Sequence, residues 1–170
     1  MLCIVMSKDT YTIATRQNPY PEPKKTVKAY KLFRRLKSQP GKLFPLFIGK
    51  REEVPVGVWI VAENNETKGF APRPGWHAGA RPEAPHLMKR DGSMPPDRVW
   101  AEVEMPAEVD YTDEAQKQKT KDFRDRIPER GFYRFSTQKK QGEHGWIIGG
   151  AVKINRLLDD SEVSSILVIA

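Results

Sequence analysis

The chain has 170 residues with a formal charge of +7, 38% hydrophobic residues and a mean hydropathy of -0.64. That length accommodates one domain with a real core, and the positive field draws polyanions, nucleotides or acidic protein surfaces whatever the fold. One cysteine, Cys3, excludes an internal disulfide and a cysteine-rich zinc site, and no stretch approaches the roughly 20 apolar residues of a membrane span.

Leu2-Cys3-Ile4-Val5-Met6 is too short and too poor in basic residues for a secretory signal, so the sequence reads as cytoplasmic. Alternating Pro19, Pro21 and Pro23 favour extended, polyproline-like backbone, and residues 1–26 read as an arm or linker before a single domain over 27–170. Val27–Leu36 is rich in branched and aromatic residues and reads as a strand, with Tyr30, Leu32, Arg34 and Leu36 on one face. A turn centred on Pro40-Gly41 leads to a second strand over Leu43–Ile48, and a third extended segment covers Val56–Val61.

Residues 69–86 carry four prolines, three glycines, two histidines, Arg73, Arg81 and Trp76, with no period for helix or strand. They read as an ordered loop that gathers the chemically versatile side chains, or as a surface loop pinned to the core by Trp76. Beyond it, Arg98–Met105 alternates cleanly, with Val99, Ala101, Val103 and Met105 on one face and Glu102 and Glu104 on the other. Residues 112–126 are polar with an acidic first turn, reading as a weak surface helix or loop. Gly131–Ser136 reads as a strand, and Trp146–Ile154 as two strands or one bent at Gly149-Gly150. A short capped helix runs from Asp159-Asp160-Ser161-Glu162 to about Leu167. The fold class is α+β, a mainly antiparallel, loop-rich sheet with a few short helices.

The chain carries no phosphate-binding GxxxxGK[ST] loop, dinucleotide fingerprint or GxSxG elbow. His77 and His86 lack metal-ligand spacing, so no metal is expected. Glu102 and Glu104 read foremost as a solvent face, and only secondarily as an acid/base pair. Gln141-Gly142-Glu143-His144 places a carboxylate, an amide and an imidazole before a strand, either as a polar turn or as a group that orients a ribose hydroxyl.

Lys31-Leu32-Phe33-Arg34, Leu43-Phe44-Pro45-Leu46-Phe47, Gly57-Val58-Trp59, Arg73-Pro74-Gly75-Trp76-His77, Val99–Glu104, Gly131-Phe132-Tyr133-Arg134 and Val152–Leu158 together resemble a domain of phages and mobile elements. That domain also occurs inside very large polyvalent proteins; the resemblance implies origin, and with it a host-cell cytoplasm. The order of elements is also similar to the ADP-ribosyltransferase fold, in which a split sheet surrounds NAD. That resemblance implies Arg34 on the phosphates, Ser136 in the Ser-Thr step, Gln141 in the Gln-x-Glu turn, and Glu143 supporting an oxocarbenium-like transition state. Arg73, Trp76 and His77 of the central loop complete the expected set, with His77 and Glu143 as the catalytic pair and NAD as substrate. The rival expectation is a non-catalytic module that binds nucleic acid or a host protein through a basic face containing Lys28, Lys31 and Arg35.

Overall fold

The computed structural model describes residues 11–46, 52–63, 74–84, 87–91, 93–117, 126–135 and 145–168. The strands among them are β1 (Tyr11–Ile13), β2 (Thr26–Leu36), β3 (Gln39–Phe44), β4 (Trp59–Ala62), β5 (Trp76–Gly79), β6 (Arg98–Pro106), β7 (Val109–Asp110), β8 (Gly131–Phe135), β9 (Trp146–Gly149) and β10 (Ala151–Leu158). Two helices join them, α1 (Thr112–Lys117) and α2 (Asp160–Val168).

Alternation in β6 becomes a buried layer. Val99, Ala101, Val103 and Met105 are buried, and Trp100, Glu102 and Glu104 turn to the opposite, partly exposed face. On one side of β6, Ala29 of β2 lies opposite Val103; on the other, Ile154 of β10 lies opposite the same residue. Side chains two residues apart share a face, so Ala29 and Phe33 join this apolar layer with Ile60, Val152 and Ile154. The mainly antiparallel sheet has the order β1-β4-β10-β6-β2-β5-β9-β8-β7, with β3 attached to β2 and only the β7–β8 pair parallel.

β9 and β10 are consecutive stretches of one chain bent at Gly149-Gly150. The first pairs with β5 and β8, the second with β4 and β6. A path from β2 through β6, β10, β9 and β5 therefore returns to β2, and the sheet coils around its apolar face. Trp76 of β5 spans this concave side: its indole Nε1 donates to the Ile60 carbonyl of β4 at 2.9 Å, and its ring lies 5.3 Å from that of Tyr11 in β1. Trp76→Phe removes the donor and part of the ring but keeps an aromatic, so a loss of about 1–2 kcal/mol in urea unfolding is expected.

The helices close the remaining surfaces. Ala115 of α1 packs on Tyr133 and Ile148, covering part of the sheet's outer face. α2 opens on a reciprocal capping box: Glu162 N–H donates to Asp159 Oδ1 at 2.8 Å and Asp159 N–H donates to Glu162 Oε2 at 2.9 Å. These two bonds satisfy backbone donors that the first helical turn leaves open, so the cap expected at Asp159-Asp160-Ser161-Glu162 is a full capping box between Asp159 and Glu162.

Three expectations are revised. Strand β5 runs through the segment that showed no strand period; Trp76 and Ala78 are buried, and pairing on both edges compensates for a four-residue length. The β2–β3 turn is at Lys37-Ser38, two residues before Pro40, because Leu36 already pairs with Gln39. Pro40 and Gly41 instead occupy a stretch where the register jumps, tolerated because β3 pairs with β2 alone among the named strands and a bulge needs no donor from proline. Finally, the segment expected as an arm packs on the sheet where it is described. Tyr11–Ile13 pairs with β4, Glu22 accepts from Trp59 Nε1 at 2.9 Å, and Arg130 donates to the Pro21 carbonyl at 2.8 Å while lying 4.6 Å from the Tyr20 ring.

Candidate anion site at the forked edge of strand β2

One edge of β2 is paired with β6 from Thr26 to Arg34. The other edge is shared. β5 pairs at Tyr30 through Gly79, whereas β3 pairs at Arg34 through Phe44 and at Leu36 through Gln39. β3 also bridges outward, Val54 N–H donating to the Leu43 carbonyl at 2.8 Å. The two partners thus diverge from β2, and Lys31, Leu32 and Phe33 stand in the fork between them.

Lys31 lies in phase with Ala29 and Phe33, on the apolar side of the sheet. Its Nζ donates to the His77 carbonyl of β5 at 2.7 Å and sits 5.5 Å from the Trp76 ring centroid and 5.8 Å from that of Phe33. The rings beside it, Phe33 and Trp76, belong to the buried apolar cluster that also holds Ala29, Val99, Ala101, Val103 and Ala78, with the Tyr11 ring against the Trp76 ring. Among the described residues no carboxylate pairs with this ammonium. Desolvation by these walls pushes its pKa down from 10.5 to about 8. A cation held by a carbonyl and two aromatic faces, with its charge unmatched by an acid, favours an anionic ligand.

Arg34 is three residues further along β2, about 10 Å by the strand rise, and points to the outer side. Its guanidinium lies 6.0 Å from the Phe44 ring, and it stands directly opposite Arg98 of β6. Arg98 in turn contacts Asp97 at 2.6 Å. Like charges at directly opposed positions repel, so the carboxylate of Asp97 stabilises this pairing and a bound anion would add to it.

Of the residues expected to form a site, Arg34 is at the fork. His77 borders it through its backbone carbonyl; its imidazole faces the outer side, edge-on to Trp146 with centroids 6.4 Å apart. Trp76, expected to touch a nucleotide, is buried in the core with its indole engaged by Ile60, since its position in β5 turns it inward. Arg73, Ser136, Gln141 and Glu143 lie outside the described residues. Lys31 entered the sequence reading only as part of a basic face. The signal was its phase: a lysine flanked at i−2 and i+2 by Ala29 and Phe33 sits on the face that an alternating strand buries.

The outer face is a network of ion pairs. Glu102 contacts Lys28 at 3.5 Å and Arg156 at 3.7 Å, and Arg156 also contacts Glu162. Glu104 contacts Lys153 at 3.3 Å, and Lys153 reaches Glu22 at 3.5 Å. Glu102 and Glu104 do share a side, as expected, yet each is engaged by its own cation, the arrangement of a solvated face rather than an acid/base pair. Among the described residues no cluster of three His, Cys, Asp or Glu could hold a metal ion, and no helix is long and apolar enough to cross a membrane. Compared with family models, curated proteins and solved structures, the chain matches none of them.

Proposed function

We propose that the protein binds a nucleotide of the NAD or ADP-ribose class across the open edge of β2 at the fork, with Lys31 meeting a phosphate from the apolar side and Arg34 reaching the ligand around the edge from the outer side. The observation that carries this reading is the Lys31 ammonium, held at the concave side by the His77 carbonyl and two rings and matched by no acid among the described residues. A phosphate supplies the missing charge, and a guanidinium is suited to gripping a second phosphate oxygen pair. The resemblance to ADP-ribosyltransferases extends the reading to turnover, with Glu143 supporting the oxocarbenium-like transition state.

The non-catalytic polyanion module is the weaker reading, because the basic face it invoked is largely committed: Lys28 contacts Glu102 and Lys31 turns inward, leaving Arg35 exposed. Thermal unfolding separates the two. NAD or ADP-ribose at about a hundred times Kd should stabilise the fold by about 2.7 kcal/mol, a shift of roughly 5–10 °C. Lys31→Met or Arg34→Gln should weaken binding at least tenfold, and Glu143→Gln should retain the shift while losing transfer of ADP-ribose. No shift with either nucleotide, together with a salt-sensitive shift from short DNA or RNA, would overturn the nucleotide reading.

A further inference from the structure

We propose that the outer face over β4 and β10 is a docking site for an extended, proline-rich acidic segment of a partner protein, and that residues 19–24 of this chain fill it in cis as an autoinhibitory strap. The inference is independent of the fork, which opens on the edge of β2 away from β6 and β10. The chemistry of the occupant is read from the segment seated there, Pro19-Tyr20-Pro21-Glu22-Pro23-Lys24, in which alternate prolines carry an aromatic ring and a carboxylate.

Trp59, Lys153 and Glu104 form one row across β4, β10 and β6, with Lys153 opposite Trp59 on one side and Glu104 on the other. Trp59 turns to the outer side yet is only 4% exposed, because the strap lies over it. The Tyr20 ring sits 5.5 Å from the indole, and Glu22 accepts from Trp59 Nε1 at 2.9 Å and meets Lys153 Nζ at 3.5 Å. From the turn before β8, Arg130 lies 4.6 Å from the Tyr20 ring and donates to the Pro21 carbonyl at 2.8 Å, while Glu108 accepts from Lys24 N–H at 3.0 Å. Among the described residues, none of residues 19–24 makes a backbone–backbone hydrogen bond. The strap is thus held as a bound proline-rich ligand is, by rings and side chains rather than by a strand ladder. The receiving groups are in place without it. Lys153 is held by Glu104 at 3.3 Å and lies 5.2 Å from the Trp59 ring, and Arg130 makes two bonds to Glu108, at 2.7 and 3.3 Å. Arg130 also stands in the left-handed region, with φ 56°, and backbone strain of that kind collects at ligand clamps. The ties of the strap, by contrast, are at the surface: the Glu22 side chain is 67% exposed, and exposed ion pairs are individually weak. A preorganised cradle under a loosely tied segment lets a segment of the same chemistry from another protein take its place.

The probe is the peptide Asn-Pro-Tyr-Pro-Glu-Pro, labelled with fluorescein at its N-terminus and read by fluorescence anisotropy against the full chain. Tyr20→Ser together with Glu22→Gln loosens the strap, and this variant should bind the peptide at least about tenfold more tightly than the native chain, whose site is open only part of the time. Adding Lys153→Met to that variant, or replacing glutamate by glutamine in the peptide, should each weaken binding by about tenfold. Arg130→Gly suits the local backbone and keeps the fold, yet added to the loosened variant it should weaken binding as well. If the loosened variant does not fold, the native chain decides. Excess unlabelled peptide, which has no lysine or arginine, should then speed tryptic cleavage after Lys24 by about threefold or more, since cleavage follows the population of the open form. A folded variant that binds no better than the native chain, binding indifferent to Lys153→Met, or unchanged cleavage after Lys24 would overturn the proposal. Strap-dependent dimers of the native chain, with no peptide bound by the loosened variant, would overturn it in favour of a second copy of this chain.

Discussion

Lys31→Met should raise the melting temperature at pH 7, and the gain should shrink as pH increases. In the folded chain this ammonium sits among apolar walls and its pKa falls from 10.5 to about 8, so between those values the unfolded chain binds a proton that the folded chain does not. Stability of the native sequence therefore rises with pH across that window, and the full penalty is present below about 8. Two and a half units correspond to about 3 kcal/mol, from which the lost hydrogen bond to the His77 carbonyl subtracts about 1 kcal/mol. Methionine has a similar shape and no charge, so the variant should gain about 2 kcal/mol at pH 7, roughly 4–8 °C in a chain of this size. Melting curves of both proteins from pH 6 to 10.5 test this directly. A difference that stays constant with pH would mean that the ammonium is not penalised, and would remove the physical ground for reading Lys31 as a waiting partner for an anion.

Gly150→Ala should be strongly destabilising. The corner between β9 and β10 brings the chain so close to the preceding loop that a Cβ at Gly150 would stand 2.3 Å from the Pro128 carbonyl oxygen and 3.0 Å from its carbon. Both are backbone atoms. The corner is also held from two sides, Gly150 N–H donating to the Gly131 carbonyl at 3.1 Å and the Gly150 carbonyl accepting from Ala62 N–H at 2.9 Å. Relief of the clash must therefore displace β8 or β4, and a loss of at least about 3 kcal/mol is expected in urea unfolding. Two comparisons isolate the cause. Gly149→Ala meets the Met105 side chain, with Sδ closest at 2.6 Å, and a flexible thioether can yield, so its loss should be smaller. Gly41→Ala in β3 meets nothing within 4 Å and should change stability by less than about 0.5 kcal/mol. If Gly150→Ala behaved like Gly41→Ala, the close approach of the corner to Pro128 would be wrong, and with it the bend that coils the sheet.

The two results bear on one design. The bend at Gly149-Gly150 lets a single stretch of chain pair with both halves of the sheet, and the resulting coil brings Trp76 across the concave side beneath Lys31. The same coil leaves β2 to be shared by β3 and β5, which opens the fork.

Local physics made several elements visible in the sequence. Period two in Val99–Met105 predicted the central strand and its buried face, since an alternating strand has no other way to bury four apolar side chains together. The acidic N-cap at Asp159-Asp160-Ser161-Glu162 marked the start of α2, and the structure shows why: the Asp159 and Glu162 side chains satisfy the first backbone donors of the helix without help from any distant residue. The glycine pair announced a bend or break in Trp146–Ile154, since glycine permits close backbone approach.

What the sequence by itself determined is therefore the strand-dominated class, the apolar layer of the sheet and the helix caps, all set by neighbours within a few residues. The tertiary structure alone decided that Trp76 and His77 belong to a strand, because β5 exists through pairing with β2 and β9 rather than through its own pattern. It also decided the role of Lys31. Its phase with Ala29 and Phe33 puts it on the buried face of the strand, but the His77 carbonyl 46 residues away and the Trp76 ring 45 away that hold its amine are long-range partners no local pattern names.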